Sequence, residues 1–402
     1  MNSIKKYPLS DLYDMSSGIS TSKDQAGHGH PFISFSTVFN NYFLPEVLPD
    51  LMNTTEKEQE TYSVKEGDIL VTRTSETIDE LAMSCVSLQD YPKASYSGFT
   101  KRLRPKEGAK VYHKYMAFYL RGNLFRKAIT NNAFMTLRAS FNEDIFSFLN
   151  VYLPSYEEQV EIGDFLYNIE RKIQINKKII NELDGRMRLI YDYWFVQFDF
   201  PNEEGEPYTM SDGKLEWNES LNKKIPKGWS STKVGDLIEK APSSMKIQTS
   251  DYLSCGEIPI IDQSSNFIAG YTNDSNSIIS TPSGSIIFGD HTRVVKYIGF
   301  DFARGADGTQ IIVSNNESVP QLFLYYSLLK FDLSNYGYAR HFKFLKELSI
   351  IVPSKNIVDK FNIIASASNK LITNKIFENI ELEKLRDWIL PMFINGQANF
   401  TQ

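Results

Sequence analysis

The sequence predicts an α+β fold in which two mixed α/β domains are separated by two long helices that pair as a coiled coil. Three observations carry the prediction. The chain has 402 residues, more than one ordinary hydrophobic core accommodates. Two similar segments, each opening on a short apolar run and a proline (Val151-Tyr-Leu-Pro154 and Ile350-Ile-Val-Pro353), stand 199 residues apart and run on into long helical patterns. Before each, the same order recurs: strands, an aromatic helix, an irregular stretch and a last strand.

Residues 1–153 form the first domain, with strands over Gly67–Thr74 and Phe99–Pro105 and an aromatic helix over Tyr112–Leu120. The first long helix occupies 154–199. Ser155 and Glu158 have the spacing of a capping box. Behind them Ile162, Leu166, Ile169, Ile173, Asn176, Ile180, Leu183 and Met187 alternate steps of four and three, a heptad seam. A helix of roughly 40 residues would extend about 60 Å, more than a compact domain needs. One amphipathic helix packed on its own domain would show this pattern too; two such helices favour a paired coil. Residues 200–224 are polar, rich in turn formers, and read as a linker. The second domain, 225–352, carries Val234-Gly-Asp-Leu237, which echoes Leu9-Ser-Asp-Leu12. It has strands over Gly284–Asp290, Arg293–Tyr297 and Gly308–Val313, then an aromatic helix over Gln321–Leu329. The second long helix lies within 353–402. Leu371, Leu382, Leu385, Ile389 and Met392 mark its apolar face, interrupted by Lys375 and Glu378. Asn176 and Asn374 suit a polar pair that fixes register, or a pair that faces solvent.

Composition excludes several classes. Apolar residues make up 42% and charged residues 23%, an ordinary globular balance. The start has no apolar run after its lysines, and no window approaches a membrane span, so the expected location is the cytoplasm. Cys85 and Cys255 cannot build a disulfide framework. The net charge of −6 argues against a uniformly basic surface and leaves room for local basic faces. His28-Gly-His30 is expected in a loop, since two histidines without a third ligand make a poor metal site. The chain carries neither a G-x-x-x-x-G-K-[ST] phosphate loop nor the Asn/Asp-Pro-Pro-Tyr/Phe run of adenine methyltransferases, so neither nucleotide hydrolysis nor methyl transfer is expected.

Four motifs occur in a telling order: Leu153-Pro-Ser-Tyr-Glu-Glu-Gln159, Tyr193-Trp-Phe-Val-Gln-Phe-Asp199, Ile225-Pro-Lys-Gly-Trp229 and Leu385-Arg-Asp-Trp-Ile-Leu-Pro-Met392. Together they make the chain resemble, over nearly its whole length, the specificity subunit of Type I restriction-modification enzymes. The second helix departs from that pattern, with Pro353-Ser-Lys-Asn-Ile-Val-Asp in place of the acidic-Gln signature. The resemblance implies two target-recognition domains, each reading one half of a split, asymmetric site on double-stranded DNA. It implies an antiparallel pairing of the helices, which engage two methyltransferase subunits, with restriction subunits in the full complex. It further implies that S-adenosylmethionine, ATP and Mg bind the partner subunits, this chain having no cofactor or catalytic residue. A rigid spacer of such length could hold two readers about 34–36 Å apart, one turn of duplex. A self-contained enzyme and a coiled-coil scaffold without a DNA role are the alternatives.

Candidate DNA contacts follow from the chemistry of bases and phosphates, which takes forked donors, hydroxyls and amines. The first domain offers Thr72, Arg73, Thr74, Lys101, Arg102, Arg104 and Arg138; the second offers Arg293, Lys296, Arg304, Arg340, His341 and Lys343. Arg138 and Arg340 form a matched pair, each in the irregular segment before the last strand. Each of these residues could equally be an ordinary solvated charge.

Overall fold

The computed structural model describes residues 4–75, 77, 80–132, 139–239, 244–305, 307–334 and 340–398. The chain forms two units: Met1–Ile175 with Glu378–Gln402, and Asn176–Phe377.

In the first unit, Lys5–Pro8 runs antiparallel to Asn150–Leu153, the strand just before Pro154. The following turn, Leu9–Leu12, buries both leucines. A four-stranded antiparallel sheet has the order Tyr13–Ser17, Thr100–Pro105, Ile69–Thr72, Ser84–Val86. Its central strand Ile69–Thr72 is buried throughout. Alternation sends Ile69 and Val71 to one core, with the aromatic helix His113–Tyr119, and Leu70 to a second core with Val38, Tyr91 and Tyr96. A second sheet orders Asp50–Met52, Ala26–Ile33 and Ser95–Tyr96, the last pairing parallel. His28 and His30 lie in strand Ala26–Ile33 rather than in a loop, at a register irregularity that tolerates the glycines beside them.

The second unit repeats the plan. Ser230–Lys233 pairs antiparallel with Ser349–Val352, ahead of Pro353, and Val234–Leu237 again buries its end residues. The main sheet has the order Ile238–Glu239, Thr309–Ser314, Ser285–Gly289, Val295–Ile298. Ile286 and Phe288 face the core beneath helix Gln321–Leu328, and Ile287 faces the other side. The second sheet again contains a parallel pair, Ile258–Ile261 with Phe302–Arg304. Residues read as a linker are built into this unit. Leu215–Asn218 and Lys223–Pro226 form a hairpin, and Phe200 stacks between Tyr208 and Trp229 at 4.6 and 4.9 Å. Three aromatic anchors thus hold a polar segment that composition alone marks as free.

The helix Tyr156–Tyr191 starts on the capping box: Glu158 N–H donates to Ser155 Oγ at 3.3 Å and Ser155 N–H to Glu158 Oε2 at 3.2 Å. The second long helix is Lys355–Ile394. Within the first unit the two run antiparallel: Phe165 meets Phe393, Glu170 meets Arg386 and Lys172 meets Glu378. Ile162, Leu166, Ile169 and Ile173 are buried there, whereas in the second unit Asn176 and Met187 are buried and Ile180 and Leu183 half-buried.

The apolar face expected for the second helix needs correction. Leu371, Leu385 and Asn374 are exposed and Leu382 is half-buried. The buried line is Val358, Phe361, Ala365 and Asn369 in the second unit, then Asn379, Arg386, Leu390 and Phe393 in the first. Three of these positions are polar, so hydropathy points to the wrong stripe.

Candidate nucleic-acid interface

The central strand of each main sheet runs out into a junction of loops. In the first unit Thr72 is the last buried residue, opposite Thr100. Its hydroxyl donates to the Glu80 carbonyl at 3.2 Å and accepts the Met83 N–H at 2.9 Å. Arg73, next along, is exposed. Its N–H donates to the Phe99 carbonyl at 2.7 Å, and its own carbonyl accepts the Phe141 N–H at 2.7 Å. Its guanidinium reaches the Gly98 carbonyl at 3.5 Å. Thr74 pairs with Ser140 across a short ladder.

In the second unit Gly289 stands opposite Thr309. Asp290, next along, donates its N–H to the Gly308 carbonyl at 2.7 Å and accepts the His341 N–H at 3.0 Å. The same bonds therefore equate Arg73 with Asp290, Phe99 with Gly308 and Phe141 with His341. Under this equivalence Arg340 corresponds to Ser140, not to Arg138, so the matched arginine pair is off by two positions; Arg138 itself lies outside the described residues. Asp290 is a hub. Its carbonyl also accepts His341 Nδ1–H at 2.9 Å, and its carboxylate accepts the Phe342 N–H at 2.8 Å, capping the helix His341–Glu347.

Around these junctions the candidate contacts separate by burial. Lys101 and Arg102 are only 8% and 9% exposed. Lys101 Nζ donates to Ser17 Oγ at 2.9 Å, and Arg102 donates to the Ser63 carbonyl while its guanidinium lies over the Tyr96 ring. Arg104 grips Asp68 with two bonds of 2.8 and 2.6 Å, and that carboxylate holds the guanidinium pKa above its usual value. In the second unit Lys296 donates to the carbonyls of Asp262 and Asn266, and burial lowers its pKa. Arg304 donates to the Thr309 carbonyl, burial likewise lowering its pKa, and His341 is 3% exposed. Thr72, Lys101, Arg102, Lys296 and His341 are thus buried in the fold, and Arg104 and Arg304 are half-buried with their guanidinium groups bonded to it. Sequence assigns them to DNA because it shows charge and hydroxyls without showing burial.

The exposed remainder is Arg73 in the first unit and Arg293, Arg340 and Lys343 in the second, with Thr74 half-buried. Arg293 sits at φ 63°, an unusual conformation for a residue with a side chain, fixed by its N–H donating to the Gly289 carbonyl at 2.8 Å. Beside it, exposed His291 donates its N–H to Gln263 Oε1 at 3.1 Å, and exposed Thr292 donates to the Gln263 carbonyl at 2.7 Å. Sequence reasoning passes over Gln263, Thr292 and, in the first unit, Phe99, which is 63% exposed. None of the three is itself a cation, and which side chains beside a basic residue reach the surface is not written in the sequence. Among the described residues no group of three His, Cys, Asp or Glu could hold a metal, and no helix is long and apolar enough to cross a membrane.

Comparison with known proteins places the chain in a family. The Type I restriction modification DNA specificity domain matches residues 1–184 and again 226–382, the two halves that share one plan here. The Type I restriction enzyme MjaIX specificity subunit of Methanocaldococcus jannaschii is 24% identical over 373 residues, covering 86% of this chain and 81% of that protein. The EcoR124I/EcoR124II specificity subunit of Escherichia coli is 29% identical over 98 residues, 24% of each chain. The crystal structure of the S subunit of a Type I restriction-modification system from M. genitalium superposes with a TM-score of 0.60 at 14% identity, over 100% of this chain and 97% of that one, a likeness of fold. The duplicated domain, the two long helices and the match across both halves make this chain a member of the Type I restriction-modification specificity-subunit family.

Proposed function

We propose that the chain acts as a non-catalytic DNA-reading subunit whose two recognition domains, residues 1–153 and 225–352, each take one half of a split, asymmetric duplex site. In this reading the helical segments 154–199 and 353–402 engage two methyltransferase subunits, with restriction subunits in the full complex. S-adenosylmethionine, ATP and Mg then belong to those partners. One observation carries the proposal: the same strand-end junction is built twice, by equivalent backbone bonds, but presents Arg73 and Phe99 in one unit and Arg293, Thr292 and Arg340 in the other. A repeated scaffold bearing different exposed donors suits two half-sites of different sequence.

The test is to map N6-methyladenine by single-molecule sequencing in a host carrying this gene and its partner methyltransferase, and in one lacking only this gene. Loss of one split, asymmetric motif in the deletion is expected. A methylome unchanged by the deletion would overturn the proposal.

A further inference from the structure

Phe99 stands at the first unit's junction without a polar group to offer a base or a phosphate. The residue is 63% exposed, yet its backbone is tightly held. The Phe99 N–H donates to Ser97 Oγ at 3.2 Å, its carbonyl accepts the Arg73 N–H, and the next residue, Thr100, donates both N–H and hydroxyl to the Ser97 carbonyl at 2.9 and 2.7 Å. A single exposed apolar residue is by itself unremarkable. Here the ring stands on a pinned turn, bonded through its backbone to exposed Arg73, a cation suited to a phosphate or a guanine edge. The equivalent position in the second unit is Gly308, at φ +86°, where a Cβ would lie 2.5 Å from Gln263 Nε2. Side chains are thus kept out of one junction while a large ring is offered at the other.

We infer that Phe99 is a specificity-determining residue that makes an apolar contact with a base in the half-site read by the first unit, a contact for which Gly308, at the equivalent position of the second unit, has no side chain. The inference rests on the proposed DNA-reading function. Two features of a duplex provide that chemistry: the C5-methyl group of thymine in the major groove, and the faces of a base step into which a ring wedges. Either contact removes apolar ring surface from water only when cognate DNA is bound.

The experiment compares the complete complex containing wild-type chain, Phe99→Ala or Phe99→Leu on duplexes carrying the motif identified by methylation. Unchanged melting temperatures serve as the folding control. Phe99→Ala should weaken cognate binding about tenfold, with Phe99→Leu in between. In double-mutant cycles the loss should couple to base changes in one half-site only. In that half-site, replacing thymine by deoxyuridine should weaken wild type and leave Phe99→Ala indifferent if the methyl is the contact. A rise in 2-aminopurine fluorescence on binding wild type but not Phe99→Ala identifies a wedge instead. Equal affinity of wild type and Phe99→Ala, or coupling spread over both half-sites, overturns the inference. A wild-type complex without sequence preference overturns the proposed function as well, which separates the two failures.

Discussion

Arg104 and Arg340 carry the same charge and have opposite fates. Arg104 neutralises Asp68, whose side chain is 1% exposed, through two short bonds. Removing it leaves a buried carboxylate with one backbone N–H, from Lys65, so Arg104→Ala is expected to destabilise the fold by about 2 kcal/mol in chemical denaturation. Arg340 is exposed beside the Asp290 hub. Arg340→Ala should leave that denaturation curve in place and weaken binding at one half-site by about 1–3 kcal/mol, measured on duplexes and by methylation of the cognate motif. Unaltered affinity and methylation would remove Arg340 from the interface. Both arginines sit in basic runs of sequence, and nothing local distinguishes the one that faces Asp68, 36 positions away, from the one that faces water. The exposed set of Arg73, Arg293, Arg340 and Lys343 was legible as chemistry; its separation from Thr72, Lys101, Arg102, Arg104, Lys296, Arg304 and His341 was not.

The two long helices show where periodicity informs and where it misleads. Ile162, Leu166, Ile169 and Ile173 are apolar and buried, so their spacing announces the seam. On the second helix, Asn369, Asn379 and Arg386 occupy buried positions while Leu371 and Leu385 face solvent. The Arg386 guanidinium is held by Glu170 at 2.7 Å and lies over the Tyr42 ring, which also meets the Arg121 guanidinium and the Phe118 ring. Burial lowers the Arg386 pKa, but Tyr42, Asp387 and Glu170 more than offset it, and the net direction is upward. Arg386→Ala takes the cation from the Glu170 carboxylate, 6% exposed, leaving it the Gln174 amide at 2.7 Å, and is expected to cost about 3 kcal/mol in guanidinium unfolding. Replacing both partners by leucine should recover most of that loss, because a buried pair contributes little beyond what an apolar pair of similar volume would. If the double variant is as unstable as the single one, the ion pair itself contributes stability that an apolar pair does not replace.

At the scale of the molecule, the duplicated plan was legible because each copy repeats its strand, proline and helix in order. The composition of the units was not. Glu170 and Arg386 are 216 positions apart, and such a contact leaves no periodic trace in either segment. The second unit is one continuous stretch, Asn176–Phe377, whereas the first needs Met1–Ile175 together with Glu378–Gln402. Leu390, Phe393 and Ile394 belong to the first unit's main core. A chain ending at Phe377 should therefore keep a protease-resistant second unit and lose the first to limited digestion. Equal resistance of both halves would show that the first unit closes without its C-terminal helix segment.

That discontinuity also sets an order of birth. As the nascent chain leaves the ribosome, the second unit receives its last residue before the first unit does. The domain made first is finished last, and for the time taken to synthesise about two hundred residues, some tens of seconds at about 5–20 residues per second, it waits with an open core. Chaperone demand during synthesis should accordingly fall on the N-terminal half and end when the final helix segment arrives.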